Sequence, residues 1–172
     1  MLPCGDCPMQ VSVALYVRRP GITVPRLRHV VRHVLRRQRC APDTEVALAL
    51  VSDATVRRLN RQFLGIDRPT DVLSFPATRA RARVVRRRIQ DPGSKILDRE
   101  VRGYLGDVVI SVDRARVQAR AVGHPLRTEI ALLAVHGLLH LLGYDDRRRT
   151  DAVHMSRRQR VLAAEAGFEV AG

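Results

Sequence analysis

The segment formed by residues 126–142 constrains the fold of this chain more than any other feature. As a helix it is apolar on almost every side, and Gly143 follows it directly. A helix without a polar face cannot lie on a surface and has to be buried inside the domain. We therefore expect a central helix that ends at Gly143, because glycine commonly closes helices in the left-handed conformation.

Two histidines, His136 and His140, interrupt this apolar segment. Residues four apart on a helix lie one turn above each other on the same face. Buried imidazole nitrogens without partners cost on the order of 1–3 kcal/mol each, and one shared metal ion satisfies both. After the turn at Gly143, Asp145 or Asp146 can supply a third ligand. The spacing H-x-x-x-H-x-x-G-x-x-D indicates a metal-hydrolase site with one position open for water, and the alternative is an ordinary pair of core histidines.

Strands and helices are mixed along the rest of the chain. β-Branched and apolar runs predict strands at residues 11–17, 44–51, 71–75 and 104–112. Apolar stripes and capping residues predict helices at residues 24–38, 53–63, 113–122, 126–142 and 150–166. We therefore predict a single α+β domain over residues 1–172, with one mixed sheet of about four strands covered by helices. We predict the metal site on the buried helix and the turn after it.

The chain is strongly basic, with a net charge of +14 and a pI of about 11.4. This excess favours a polyanionic partner, with nucleic acid first and an anionic membrane surface second. Arginine supplies 30 of the 31 basic residues, a ratio that codon bias in a GC-rich genome also produces. Aromatic residues make up only 3% of the chain, which argues against a surface that grips single-stranded bases mainly by stacking.

Residues 77–102 are rich in arginine and contain the run Arg86, Arg87 and Arg88. The turn signal Asp-Pro-Gly at residues 91–93 lies in the same segment. We expect a long exposed loop or arm here, with the arginine run in a position to contact RNA. Residues 1–10 are expected to form a flexible tail.

The three cysteines, Cys4, Cys7 and Cys40, cannot all pair with one another. An odd count in a chain without a secretory signal indicates reduced thiols in the cytoplasm. Cys4 and Cys7 form a C-x-x-C that offers half of a zinc site, with Cys40 as a third ligand and no obvious fourth; a frayed tail is the favoured interpretation. No stretch approaches the roughly 18 to 20 apolar residues of a membrane span, so we expect no membrane partner.

A second pair of histidines, His29 and His33, is also four residues apart on a predicted helix. Their helical positions lie opposite the apolar stripe of that helix, among Arg28, Arg32 and Arg36. We therefore expect solvated side chains, placed where phosphate can approach, rather than metal ligands.

Three sequence blocks, in order across residues 44–146, resemble the YbeY family of bacterial rRNA maturation factors, which are metal-dependent endoribonucleases. The blocks are LNRQF at residues 59–63 followed by PTDVLSFP at 69–76, LGDVVIS at 105–111, and HGLLHLLGYD at 136–145. One block alone would be a weak signal, but three blocks in order are highly specific.

The resemblance implies one zinc ion per chain, bound by His136, His140 and the residue directly after GYD. The family has a histidine there, whereas this chain has Asp146. A carboxylate oxygen binds zinc at about 2.0–2.2 Å, so the site can persist with altered affinity, or the chain is a weakened member. The resemblance also implies Arg61 as the residue that binds the scissile phosphate.

Other residues near these motifs are expected to support the site or to contact RNA. Asp71 and Ser74 are expected to cap and brace the loop that faces the site. Tyr144 and Asp145 are candidates for protonating the leaving oxygen. The implied function is cleavage of single-strand-type RNA in ribosomal RNA maturation, notably of the small subunit, and in ribosome quality control. The implied partners are ribosomal RNA and ribosomal subunits, and a monomer is favoured.

Two other functions remain open from the sequence. The chain can be a non-catalytic ribosome-associated assembly factor with a structural metal, whose RNA affinity depends on charge and therefore on salt. A zinc protease is the less favoured alternative, because the H-E-x-x-H motif needs a glutamate where this chain has Gly137.

Overall fold

A computed structural model of the protein describes residues 9–77, 82–87 and 98–170. The strands among these residues are β1 (Gln10–Leu15), β2 (Glu45–Val51), β3 (Val72–Pro76), β4 (Ala82–Arg87) and β5 (Asp98–Ser111). The helices are α1 (Val24–Arg37), α2 (Asp53–Leu64), α3 (Val112–Val122), α4 (Leu126–Leu141) and α5 (Arg149–Glu165). None of these helices combines the length and the apolar character needed to cross a membrane.

The main sheet has the strand order β1-β2-β5-β3 and is mixed. β1 and β2 pair in parallel, and β2 pairs in parallel with the second half of β5. β3 runs antiparallel to β5, with Val72 opposite Ile110 and Pro76 opposite Gly106. The prediction of an α+β fold built on one mixed sheet covered by helices is confirmed.

Helices cover both faces of this sheet. On one face, Leu48 and Ile110 belong to the large core that also contains the buried residues of α1, α4 and α5. On the other face, a smaller cluster joins Val56 of α2 to Leu73 and Val109. The sheet therefore separates α2 from α4, which decides which predicted site residues can meet.

The arginine-rich segment contains strands that the sequence did not predict. β4 pairs antiparallel with the first half of β5, so that Ala82 lies opposite Gly103 and Arg87 lies opposite Asp98. Residues 82–87 and 98–102 are therefore strands within the segment 77–102 that was expected to be a loop or arm. Residues 78–81 and 88–97 lie outside the described residues. This two-stranded ribbon is held by backbone hydrogen bonds beyond the main sheet. Its sequence therefore does not show the alternation of apolar and polar residues that predicts a strand.

The expected N-terminal tail, with Cys4 and Cys7, falls largely outside the described residues. Gln10, the last residue of that expected tail, belongs to β1 and lies opposite Glu45 of β2. Cys40 is a buried free cysteine, and burial raises the pKa of its thiol to about 12. A thiol with that pKa is protonated at neutral pH and is a poor metal ligand.

Candidate metal centre

Helix α4 is almost completely enclosed. Between residues 128 and 141 every position is buried except His136 and His140, which are partly exposed. The rest of the helix packs against the sheet and against α1, α3 and α5. The two histidines therefore stand at the only openings in this part of the helix.

A third side chain meets the two histidines. The Nε2 atoms of His136 and His140 lie 3.0 Å apart. Asp146 Oδ2 lies 3.5 Å from His140 Nε2 and 3.8 Å from His136 Nε2. Asp146 reaches this position because Gly143, with a φ of 89°, turns the chain back after α4. In a tetrahedral zinc site the ligand atoms are separated by about 3.3 Å, which is close to these spacings.

The partners of the Nδ1 atoms decide which nitrogen of each ring carries the proton. His140 Nδ1 lies 3.2 Å from the Tyr144 carbonyl oxygen, which can only accept, so this nitrogen donates. His136 Nδ1 lies 3.3 Å from Gln159 Oε1 on α5. The amide nitrogen of Gln159 donates to the Leu132 carbonyl at 3.1 Å, which leaves its oxygen to accept from His136.

In their neutral forms, the two imidazoles therefore turn an unprotonated Nε2 toward the same point, where the carboxylate of Asp146 also lies. Two lone pairs 3.0 Å apart cannot form a hydrogen bond with each other. Burial and the neighbouring His140 lower the pKa of His136, which disfavours adding a proton there. Two neutral nitrogens and one carboxylate oxygen form a donor set that fits a divalent metal such as zinc.

Tyr144 and Asp145 follow the helix, but their side chains do not join the cluster. The Tyr144 hydroxyl donates to Gln38 Oε1 at the end of α1, at 3.2 Å. Asp145 is exposed and accepts a hydrogen bond from the backbone N–H of Arg147 at 3.2 Å. Tyr144 contributes its backbone carbonyl to the site, which orients His140.

Ser74 and Asp71 lie on the β3 side of α4. The Ser74 hydroxyl donates to the Gly137 carbonyl at 3.1 Å, next to His136 in the chain. Asp71 accepts hydrogen bonds from Gln118 Nε2 at 2.9 Å, the Thr70 hydroxyl at 3.1 Å and the Val72 backbone N–H at 2.9 Å. Burial alone would raise the pKa of Asp71, but these hydrogen bonds outweigh it and hold the pKa below its usual value.

The arginines singled out from the sequence lie elsewhere. Arg61 is exposed in the last turn of α2, across the sheet from α4, and the contacts of the described residues do not join it to the three clustered side chains. Arg86 and Arg87 belong to β4, whereas Arg88 lies outside the described residues. The structure thus brings together His136, His140 and Asp146, and leaves Arg61 at a separate position.

Sequence reasoning missed two contacts that involve α4. Gln159 orients His136 from α5, 23 positions away in the chain, and no local pattern marks such a contact. His124 Nε2 lies 2.9 Å from Glu129 Oε2, and both side chains are nearly buried. Glu129 precedes His136 by two helical turns on the same face of α4. Burial raises the pKa of Glu129, against the opposing effect of His124.

The fold and the cluster define a class of protein: an α+β domain that presents two histidines and an aspartate from a buried helix and the turn after it. A family model described as Endoribonuclease YbeY matches residues 21–167. The chain belongs to this family.

Individual relatives agree with this assignment. The Endoribonuclease YbeY of Desulfitobacterium hafniense is 45% identical over 126 residues, which cover 73% of this chain and 74% of the relative. That of Moorella thermoacetica is 44% identical over 134 residues, covering 74% and 76%. A solution structure of a protein from Thermotoga maritima is similar in fold, with a TM-score of 0.58 and 22% identity over 91% of this chain and 89% of that one.

Proposed function

We propose that this protein is a metal-dependent endoribonuclease that cleaves phosphodiester bonds of ribosomal RNA during maturation. The relatives described above are named Endoribonuclease YbeY. One observation supports the proposal for this chain: the Nε2 atoms of two histidines and one carboxylate oxygen converge within 3.8 Å of one another. Lone pairs so arranged repel each other unless a cation lies between them.

The cation proposed is zinc, one per chain, held by His136, His140 and Asp146. When bound, zinc polarises a phosphoryl oxygen or lowers the pKa of a coordinated water toward about 7. Gln159 and the Tyr144 carbonyl keep each Nδ1 protonated, so that each Nε2 stays available as a ligand. Asp146 has 43% of its side chain exposed, so the site opens to solvent on its side.

Arg61 is proposed to bind a phosphate of the substrate. Its guanidinium is exposed in the last turn of α2 and offers a planar, bidentate set of donors. Because α2 and α4 lie on opposite faces of the sheet, this contact lies on a part of the RNA that passes around the edge strand β3. The role of Arg61 is therefore binding and orientation.

The substrate proposed is ribosomal RNA, notably that of the small subunit, and the setting is the cytoplasm. The net charge of +14 supports a polyanionic partner. The same proposal includes cleavage of single-strand-type RNA and action on ribosomal subunits. It also includes a role in ribosome quality control and a monomeric state.

Peptide hydrolysis by an H-E-x-x-H mechanism is disfavoured by the packing of α4. Gly137 occupies the position that the glutamate would need. A Cβ atom at Gly137 would lie 2.5 Å from Val108 Cγ1 and 3.1 Å from Ser74 Oγ. The site therefore has no room for a glutamate beside His136.

The test measures zinc content by elemental analysis and cleavage of a small-subunit rRNA fragment on the same preparations. We expect wild type to hold about one zinc per chain, and His140→Ala and Asp146→Ala to lose both zinc and cleavage. His154→Ala is the matched control, because His154 is exposed on α5 and outside the cluster. Circular dichroism verifies that each variant is folded.

Three results would contradict the proposal or a part of it. If the wild-type protein contains no bound metal, the metal-dependent hydrolase mechanism is wrong. Wild type that binds zinc and rRNA but does not cut in any form supports the non-catalytic assembly factor instead. If Asp146→Ala retains full zinc, Asp146 is not a ligand.

A further inference from the structure

The solvent-facing side of α1 carries a basic cavity that the proposed function does not use. The cavity has a volume of about 340 Å³ and is lined by Pro25, His29, Arg32, His33 and Arg36. The four basic residues lie at relative positions 0, 3, 4 and 7, which share one face of a helix. The buried residues of α1, such as Val30 and Val34, lie on the opposite face.

One donor in this cavity lacks an acceptor. Arg32 Nε is buried, and no hydrogen-bond partner reaches it in the part of the chain that the structure describes. A buried donor without a partner is unfavourable, so a phosphate oxygen that draws the Arg32 side chain toward the cavity would supply the missing acceptor. A guanidinium matches the oxygens of a phosphate in a bidentate arrangement.

An acidic side chain that contacts one of the lining residues is already engaged. Glu165 of α5 accepts from Arg37 at 2.8 and 2.7 Å, and its carboxylate lies 3.1 Å from His33 Nε2. Glu165 therefore offsets the charge of Arg37 and fixes the ring of His33. No acidic side chain lines the cavity itself among the described residues, so the charge of Arg32 and Arg36 remains available to an anion.

We propose that this cavity, here called the α1 cradle, binds a backbone phosphate of RNA. The proposal rests on the proposed function in taking RNA as the partner. An anionic membrane is the less suitable source of phosphate, because Pro25 is the sole apolar side chain in the lining and a membrane-bound helix inserts a larger apolar face.

The α1 cradle is separate from the metal centre. Tyr144, next to the metal centre, contacts Gln38 at the end of α1, whereas the α1 cradle faces solvent on the other side of that helix. A helix with its side chains is about 10–12 Å across, so a phosphate in the α1 cradle belongs to a flanking segment of the RNA rather than to the cleaved bond. The α1 cradle therefore contributes to RNA affinity and not to the chemical step.

The test compares RNA binding by wild type and the double variant Arg32→Gln/Arg36→Gln. Fluorescence anisotropy measures the Kd of a labelled 12-nucleotide single-stranded RNA at several salt concentrations. We expect affinity to fall about tenfold at low salt and the slope of log K against log salt to decrease by about 0.7, the value for one phosphate on a single strand. The matched control, Arg120→Gln/Arg127→Gln, removes the same charge from exposed positions on α3 and α4.

Several outcomes separate this inference from the proposed function. Equal losses in the two double variants overturn the α1 cradle, because only net charge then matters. A loss of binding to phosphatidylglycerol vesicles with unchanged RNA binding also overturns it, and indicates a lipid headgroup as ligand. If the wild type does not cleave rRNA but the α1 cradle variant alone loses affinity, the proposed nuclease fails and the α1 cradle stands. Zinc content remains that of wild type in both double variants.

Discussion

Ser74 on β3 donates a 3.1 Å hydrogen bond to the carbonyl of Gly137 on α4. This bond joins the edge strand of the sheet to the residue that follows His136. At the same point α4 has no side chain, and a Cβ atom on Gly137 would lie 2.5 Å from Val108 Cγ1. The helix therefore packs tightly against the sheet beside its first candidate ligand.

Gly137→Ala tests this close approach. The higher helix propensity of alanine should stabilise the fold, whereas its methyl group should collide with Val108 and destabilise it. In an exposed helix the change stabilises by about 1 kcal/mol. Here the added methyl group forces α4 away from Val108, and we expect a net loss of about 1–3 kcal/mol in the free energy of unfolding. Urea denaturation measures the change. Ser74→Ala is the control, which removes the hydrogen bond without adding volume and costs about 1 kcal/mol. A more stable Gly137→Ala variant would show that the contact is not restrictive.

Gln159→Leu tests the role of Gln159 in orienting His136. Without the acceptor at Gln159 Oε1, the proton on His136 is no longer held at Nδ1. Loss of such a supporting contact typically reduces metal affinity about 10- to 100-fold. Competitive titration with a zinc chelator measures the affinity. Gln159→Glu keeps an oxygen acceptor and should retain most of it. Equal affinity of Gln159→Leu and wild type would contradict this role.

The pKa of Asp71 lies below its usual value, because hydrogen bonds from Gln118, Thr70 and the Val72 backbone outweigh the effect of burial. An acid with a depressed folded pKa stabilises the protein above its unfolded pKa, and this contribution is lost as the pH falls through the folded value. We expect Asp71→Asn to cost about 1–3 kcal/mol at pH 7 and the difference from wild type to shrink below pH 4. Urea denaturation from pH 7 to pH 3 checks this expectation, with the exposed Asp145→Asn as control.

Glu129 should show the opposite dependence on pH. Burial raises its pKa, so its contribution to stability is complete below the unfolded pKa and decreases as the pH rises through the folded value. Glu129→Gln keeps a partner for His124 and should remove the decline that begins above the unfolded pKa of the carboxyl group. Glu129→Leu leaves His124 Nε2 unpaired, and we expect it to cost about 1–3 kcal/mol. If the free energy of unfolding depends on pH in the same way in wild type and in Glu129→Gln, the raised pKa of Glu129 is wrong.

Much of the fold follows from local sequence patterns. The central helix, expected at residues 126–142, is α4, because an apolar circumference has no other stable location. Ser52 caps α2 by accepting from the Thr55 backbone N–H, which agrees with the helix predicted from residue 53. The ribbon formed by β4 and the first half of β5 was not predicted. The two strands pair beyond the main sheet, and their many arginines interrupt the apolar pattern by which a strand is usually recognised.

The candidate ligands could be predicted from the sequence, but the residues that orient them could not. The spacing of His136 and His140 and the turn at Gly143 indicated a shared cation, and spacing alone left Asp145 and Asp146 equally open. The structure brings Asp146 to the histidines and directs Asp145 toward Arg147. Contacts such as that of Gln159 depend on how α5 packs against α4, which no local pattern encodes.

The enclosure of α4 also limits how this site can change during evolution. Every residue from 128 to 141 other than the two histidines is buried, so no neighbouring position can take over as a ligand without opening the interior. Asp146, after the turn, is exposed, so a substitution at this position does not disturb the packing around α4. If Asp146 is a ligand as proposed, substitutions there can alter the chemistry of the centre, while packing keeps the two histidines fixed along the helix.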